Sequence, residues 1–353
     1  MRTFAKSDKL HGVCYDVRGP VLDAANEMKR QGTEILQLNI GNPAPFGFQA
    51  PSWILDAIRD ALDDPMSQGY SESNGIVEAR EAILDYHRSK GLPNLEMNHI
   101  YIGNGVSEMI SLAMQGLLND GDEILIPAPD YPLWTAAAKL AGGTPVHYIC
   151  DEKSNWYPDI ADMEKKIQEK GIRVAIFCNP HNPTGRVWTK EEISDYIDLM
   201  AKYGITVISD EIWADFMIGE GKKHIPTQSV SDLAKRITCA FYAPSKTFNL
   251  AGLVGSYHII YRDDLREKVL KTESLSHYNS HNIMSTYALI GGYEGGADWV
   301  DELCAYIRGN MQYCEDYCKR HFHGVKFTVN EGAYVALMDC TEWLENTGKT
   351  MDE

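Results

Sequence analysis

Between residues 99 and 261 the chain repeats one rhythm, and that rhythm narrows its folds more than any other feature. A short apolar run rich in β-branched residues is followed by a turn, then by a helix-length segment with apolar residues at 3.6-residue spacing, then by the next apolar run. The predicted strands are His99–Gly103, Glu123–Pro127, Pro145–Ile149, Arg173–Cys178, Thr206–Ser209, Ile237–Tyr242 and Ser256–Tyr261. The predicted helices between them include Ser107–Leu118, Tyr131–Leu140, Asp159–Lys170 and Thr189–Tyr203. Thr189 and Glu192 form a capping box at the head of the last. Alternation of this kind builds a mainly parallel sheet covered by helices on both faces.

The 353 residues suggest about two domains. Residues 1–45, with a helical Pro20–Gln31 and an apolar Ile35–Asn39, fall outside the rhythm, as do the long helical stretches after Asp263. The expected organisation is α/β: a three-layer αβα large domain over 46–265, and a smaller α+β domain built from 1–45 and 266–353. The last four residues, Thr350-Met351-Asp352-Glu353, read as a capping box for a helix the chain does not contain, so the C-terminus is expected to be incomplete.

Charge and cysteine usage exclude several functions. Lys and Arg number 33 against 50 Asp and Glu, a net charge of −17, and no basic block is available to track nucleic acid or an anionic membrane. No apolar run approaches the ~20 residues needed to cross a bilayer. The opening MRTFAKSDKLHGVCYD lacks a secretory apolar stretch, which makes a cytoplasmic location the default expectation. Of eight cysteines only Cys314 and Cys318 fall close together, and no ligand spacing for a metal is present.

In open α/β sheets ligands bind beyond the carboxyl ends of strands. After His99–Gly103 comes Asn104-Gly105-Val106-Ser107 and then a helix, which is either a plain βα connection or an anion seat of backbone N–H groups. It is neither a dinucleotide fingerprint nor a Walker loop, because Glu108 stands where a third glycine would be and no Gly-Lys-Ser/Thr follows. After Arg173–Cys178 comes Asn179-Pro180-His181-Asn182-Pro183-Thr184-Gly185, a rigid turn that aims Asn182 at the same edge. After Thr206–Ser209 comes Asp210, a helix cap or an acid awaiting a cationic partner. After Ile237–Tyr242 comes Ala243-Pro244-Ser245-Lys246-Thr247, where the lysine is either a surface charge or a buried amine of depressed pKa suited to carbonyl chemistry.

One βα unit separates Asn182 from Asp210 and another separates Asp210 from Lys246, so all three converge at one sheet edge beside the Gly105 turn. A phosphate cradle, an acid and an amine together match what pyridoxal phosphate requires. Lys246 would join its aldehyde, Asp210 would keep its pyridine nitrogen protonated, Asn182 would bond its phenolic oxygen, and Tyr131 would stack on the ring or else serve as a core aromatic.

These motifs, in this order and spacing, resemble the pyridoxal-phosphate enzymes of the class I/II aminotransferase superfamily, the type I fold, over nearly the whole chain. The resemblance implies that Lys246 is the catalytic lysine, with Gly105, Val106, Ser107, Tyr131, Asn182, Asp210, Trp213 and Ser245 around the cofactor. Trp213 replaces the tyrosine usual in the family. Tyr70 matches the tyrosine that reaches a neighbouring subunit's phosphate, which implies a homodimer, and Gly41, with Asn182, would lie against the substrate. LNIGNPAPFGF, IYIGNGVSE and PAPDYPLWTAA resemble the alanine (glutamate–pyruvate) aminotransferases. CNPHNPTGRVWTKEE, SDEIWADF and APSKTFNLAGL resemble the cystathionine β-lyase (C–S lyase) branch, and Val254 stands where the aminotransferase branch has a phosphate-binding arginine. Family members also continue past the end of this chain with a carboxylate-binding arginine, a bidentate contact whose absence would weaken substrate binding. The expectation is an aminotransferase acting on a small L-amino acid. A carbon–sulfur β-lyase is the alternative, and a cofactor-binding but weakly active scaffold or regulatory dimer a further one. A Rossmann dehydrogenase is disfavoured by the missing third glycine.

Overall fold

A computed structural model describes residues 5–13, 19–38, 41–277 and 280–351. The strands are β1 (Ile100–Gly103), β2 (Glu123–Ala128), β3 (Thr144–Asp151), β4 (Tyr157–Pro158), β5 (Ile172–Cys178), β6 (Thr206–Asp210), β7 (Thr238–Tyr242), β8 (Ser256–Ile259), β9 (Lys326–Phe327) and β10 (Met338–Asp339). The helices are α1 (Gly19–Arg30), α2 (Ser52–Asp63), α3 (Val77–Ser89), α4 (Val106–Leu117), α5 (Pro132–Leu140), α6 (Ile160–Glu169), α7 (Lys190–Lys202), α8 (Asp232–Ile237), α9 (Pro244–Thr247), α10 (Asp263–His277), α11 (Ile283–Gly295), α12 (Ala297–His321) and α13 (Thr341–Thr347).

The first eight strands form one sheet in the order β1-β8-β7-β6-β5-β2-β3-β4. Strands β7, β6, β5, β2 and β3 pair in parallel, whereas β8 runs antiparallel to both of its neighbours, β7 and β1. The expected mainly parallel sheet is present, with β8 inside it and the short edge strand β4 running the other way. Residues 243–255, which carry α9, return the chain alongside β7, so that β8 pairs antiparallel with it.

Alternate residues of the central strands feed opposite layers. Ile124, Ile126, Val174 and Ile176 pack under α4, α5 and α10, while Leu125, Ala175 and Phe177 pack under α6 and α7. Burial on both faces explains why these strands read as continuous apolar runs. The predicted capping box is formed, with Thr189 Oγ1 accepting from the Glu192 N–H at 3.2 Å and Glu192 accepting from the Thr189 N–H at 2.9 Å. A third apolar cluster joins Ile54 and Ile58 of α2 to Phe216, Phe248 and the inner face of α12.

Boundaries shift where a neighbouring element claims the end residue: Ile237 closes α8 instead of opening β7, and Tyr131 caps α5 from outside. Asn39 of the apolar run Ile35–Asn39 and the last two residues of Thr350–Glu353 lie outside the described residues.

Candidate active site

Three consecutive parallel strands, β5, β6 and β7, end on the same edge, and the turns after them bring the predicted residues together. Asp210 is the last residue of β6, and its own carbonyl accepts from the N–H of Asn179 in the β5 turn at 3.2 Å. That turn is held from several sides. His181 Nδ1 lies 2.8 Å from Thr184 Oγ1, the Gly185 N–H donates to the His181 carbonyl at 2.7 Å, and Asn179 Oδ1 accepts from the Trp188 N–H at 3.0 Å. Asn182 sits half-buried at its tip.

The Asp210 carboxylate is 4% exposed and meets two donors, the Trp134 indole at 3.1 Å and the Ile212 N–H at 3.3 Å. Burial pushes its pKa up to about 6, against the opposing pull of those donors and of Lys246. Lys246, in the single turn of α9, is half-buried with its Nζ 5.5 Å from the centre of the Trp213 ring. Desolvation lowers its pKa and the field of Asp210 partly restores it. The two groups thus stand in each other's field, the acid hard to ionise and the amine easy to deprotonate. Glu211 turns the opposite way, accepting from Ser209 Oγ at 2.8 Å and Tyr242 OH at 2.9 Å, with His224 Nε2 2.9 Å away.

The Gly105 turn has the backbone an anion seat needs. Gly105 takes φ +99°, a left-handed conformation that favours glycine, and its N–H donates to Ser256 Oγ of β8 at 2.7 Å. Val106 and Ser107 then open α4, where first-turn N–H groups have no intrahelical acceptor. The Val106 side chain is buried in the core, so only its backbone is available to a ligand, and Ser107 is exposed. Val254 adopts φ +54°, and its carbonyl would lie 3.8 Å from a Cβ at Gly105.

Tyr131 is half-buried at the head of α5 with its ring edge-on to Trp134 at 5.9 Å. Ser245 is half-buried, and its carbonyl accepts from the Leu250 N–H at 2.8 Å. Gly41 lies under Tyr334, whose hydroxyl donates to the Gly41 carbonyl at 3.3 Å. The Tyr334 ring meets Trp213 at 4.6 Å and 90°. A cavity of about 660 Å³ opens at Lys246, walled by Pro43, Phe46, Phe216 and Tyr334 among others. Tyr70 projects to the surface, 89% exposed, on a loop pinned by Arg80, which donates to Glu72 at 2.7 Å and to the Gly75 carbonyl at 3.0 Å.

Sequence reasoning did not single out Trp134 and Tyr334. Trp134 carried a weak signal, a polar N–H one helical turn beyond Tyr131 on an apolar face. Tyr334 carried none, because it lies in an irregular segment held by the Met217–Gly332 bridge and the Ala333 N–H to the Phe216 carbonyl.

The model of the family described as aminotransferase class I and II matches residues 33–350, and the chain belongs to that family. It is 46% identical over 261 residues to the glutamate–pyruvate aminotransferase AlaA of Haemophilus influenzae, a match covering 74% of this chain and 63% of that protein. The chain thus spans less than two thirds of the length of the curated relatives it first matches. An aminotransferase structure from Escherichia coli superposes with a TM-score of 0.85 at 36% identity, over 94% of this chain and 82% of that one. The pyridoxal-phosphate-bound C–S lyase of Staphylococcus hominis does so with a TM-score of 0.78 at 27% identity, over 86% and 75%. The three-layer α/β fold expected from the sequence, here with an eight-stranded sheet, is the fold of these relatives.

Proposed function

We propose that the chain binds pyridoxal 5′-phosphate through Lys246 and acts on a small L-amino acid as an aminotransferase. The observation that carries this is the pairing of Asp210 and Lys246, a buried acid and a half-buried amine set after adjacent parallel strands and standing in each other's field. The residues fit the group. A buried acid with a raised pKa suits a partner that offers it a proton, and the Gly105 turn suits a phosphate.

When bound, the cofactor supplies an aldehyde and a pyridine ring able to accept electrons. The protein supplies the rest. Asp210, aimed by Trp134, would hold negative charge against the ring nitrogen, and the Val106 and Ser107 N–H groups would hold phosphate. Tyr131 would stack on the ring, Asn182 and the Trp213 indole N–H would be available to its phenolic oxygen, Ser245 would lie beside it, and Gly41 would leave room for the substrate carboxylate. Lys246, once its amine is free, is the base that takes the proton from the substrate α-carbon. On the same reading Tyr70 reaches a second copy's site in a cytoplasmic homodimer. Residues 46–265 form the cofactor-binding domain and 1–45 with 266–353 the smaller one.

Carbon–sulfur β-elimination is the second reading, favoured by Val254 beside the Gly105 turn and by the C–S lyase likeness. The test is the absorbance spectrum of the chain with pyridoxal phosphate before and after borohydride, beside Lys246→Ala. A visible band present in the wild type, abolished by borohydride and missing in the variant, supports the reading, and a wild type without the band overturns it. L-Alanine with a keto acid against L-cystathionine alone then separates transamination from release of pyruvate and ammonia.

A further inference from the structure

Lys246 sits in a helix of four residues, Pro244–Thr247, too short to hold its own shape. What holds it comes from its neighbour. Thr247, 2% exposed, donates its hydroxyl to Asp215 Oδ2 at 2.9 Å. The other oxygen of Asp215 accepts from Lys90 Nζ at 3.1 Å and from the Tyr86 hydroxyl. Lys90 also lies 5.2 Å from the centre of the Tyr86 ring, which stacks on Tyr293 of α11 at 4.1 Å.

We propose that Asp215 is the positioning residue for Lys246: bound to Thr247 on one side and to Tyr86 of α3 and Lys90 just after it on the other, it fixes α9 so that Lys246 Nζ stays over Trp213 and facing Asp210. The inference rests on Lys246 being the cofactor-bearing lysine. The side-chain carboxylate of Asp215 is only 9% exposed. Burial opposes its charge, yet Lys90 and the donors Tyr86 and Thr247 bring its pKa below the ordinary carboxylate value. It is therefore a charged anchor whose charge is already answered by Lys90, and it acts on Lys246 through Thr247 by geometry. The other titratable groups around it are His87 of α3, Tyr293 of α11, and Cys304 with Asp301 of α12. Asp210 is the carboxylate in whose field Lys246 lies, and Tyr334 and Cys314 line the same cavity.

The test is site-resolved labelling of the full chain by trinitrobenzenesulfonate after removal of any bound aldehyde with hydroxylamine. The rate at Lys246 is read by mass spectrometry as a function of pH, and a melting temperature is taken for each variant. In the wild type the Lys246 midpoint is expected below that of exposed lysines. Thr247→Val keeps the side-chain volume but removes the hydroxyl, so the midpoint is expected to rise by about one pH unit as the amine reaches water, while Thr247→Ser keeps the wild-type curve. Asp215→Ala, which removes both acceptor oxygens, is expected to follow Thr247→Val. A Thr247→Val curve superimposed on the wild type would overturn the proposal, whatever happens to the melting temperature. A wild type with the lowered midpoint but no borohydride-sensitive band with pyridoxal phosphate fails the functional reading and leaves the positioning role standing.

Discussion

The Trp134 indole donates to Asp210 Oδ2 at 3.1 Å with both side chains out of solvent, so the aromatic face of α5 directly supports the acid at the end of β6. Removing that donor while keeping an aromatic ring, Trp134→Phe, leaves the carboxylate with the Ile212 N–H alone. A hydrogen bond to a charged group contributes about 1.5–3 kcal/mol, so pyridoxal phosphate affinity should fall roughly tenfold or more. An equilibrium titration of the variant against the wild type checks it.

Asp210 itself costs the cofactor-free chain stability at neutral pH. Its folded pKa of about 6 lies above the unfolded value of about 3.9, so the folded state binds the proton more tightly. The resulting stabilisation is present below about pH 4 and is lost as pH rises through about 6. Asp210→Asn should therefore raise the unfolding free energy at pH 8 by about 3 kcal/mol, flatten its pH dependence between 4 and 7, and abolish cofactor uptake. Denaturant titrations at several pH values measure the first two effects. A variant less stable than the wild type at pH 8 would refute the assignment.

Gly75 holds the Tyr70 loop in place. Its φ is +95°, and a Cβ there would stand 2.5 Å from Ile102 Cδ1 in the core beneath β1. Gly75→Ala combines left-handed strain of about 1–2 kcal/mol with a clash against a side chain that is itself buried. A loss of about 2–3 kcal/mol is expected, read from the denaturation midpoint at unchanged m-value.

Tyr334 ties the segment at Gly41 to Trp213. Tyr334→Phe keeps the perpendicular ring contact and removes only the hydroxyl that donates to the Gly41 carbonyl. A neutral hydrogen bond contributes about 0.5–1.5 kcal/mol, so KM for the amino acid should rise roughly three- to tenfold with pyridoxal phosphate affinity unchanged. Steady-state kinetics beside the cofactor titration separates the two. An equal fall in both would place Tyr334 at the cofactor instead.

Much of this molecule was legible in its residue order, for reasons that are local. A parallel strand buried on both faces must be apolar throughout, and an amphipathic helix must repeat at 3.6, so β2, β5, β6 and β7 and the helices between them followed from spacing alone. The turns after those strands carry Asn182, Asp210 and Lys246 because strand ends are where polar groups escape the core, and strand direction then places all three on one edge. Which partners those groups meet depends on contacts between segments far apart in the chain. Trp134 lies 76 residues from the acid it supports, Thr247 lies 32 from the carboxylate that holds it, and Tyr334 lies 293 from Gly41. Hydrogen bonds of that kind have no period and no propensity to announce them. The same holds for β8, whose apolar pattern is that of its neighbours while its direction appears only in its antiparallel pairing with β7 and β1. Residue order thus determined the layers, the edge and the polar groups gathered there, and packing in three dimensions decided how far each group is desolvated and which partners it meets.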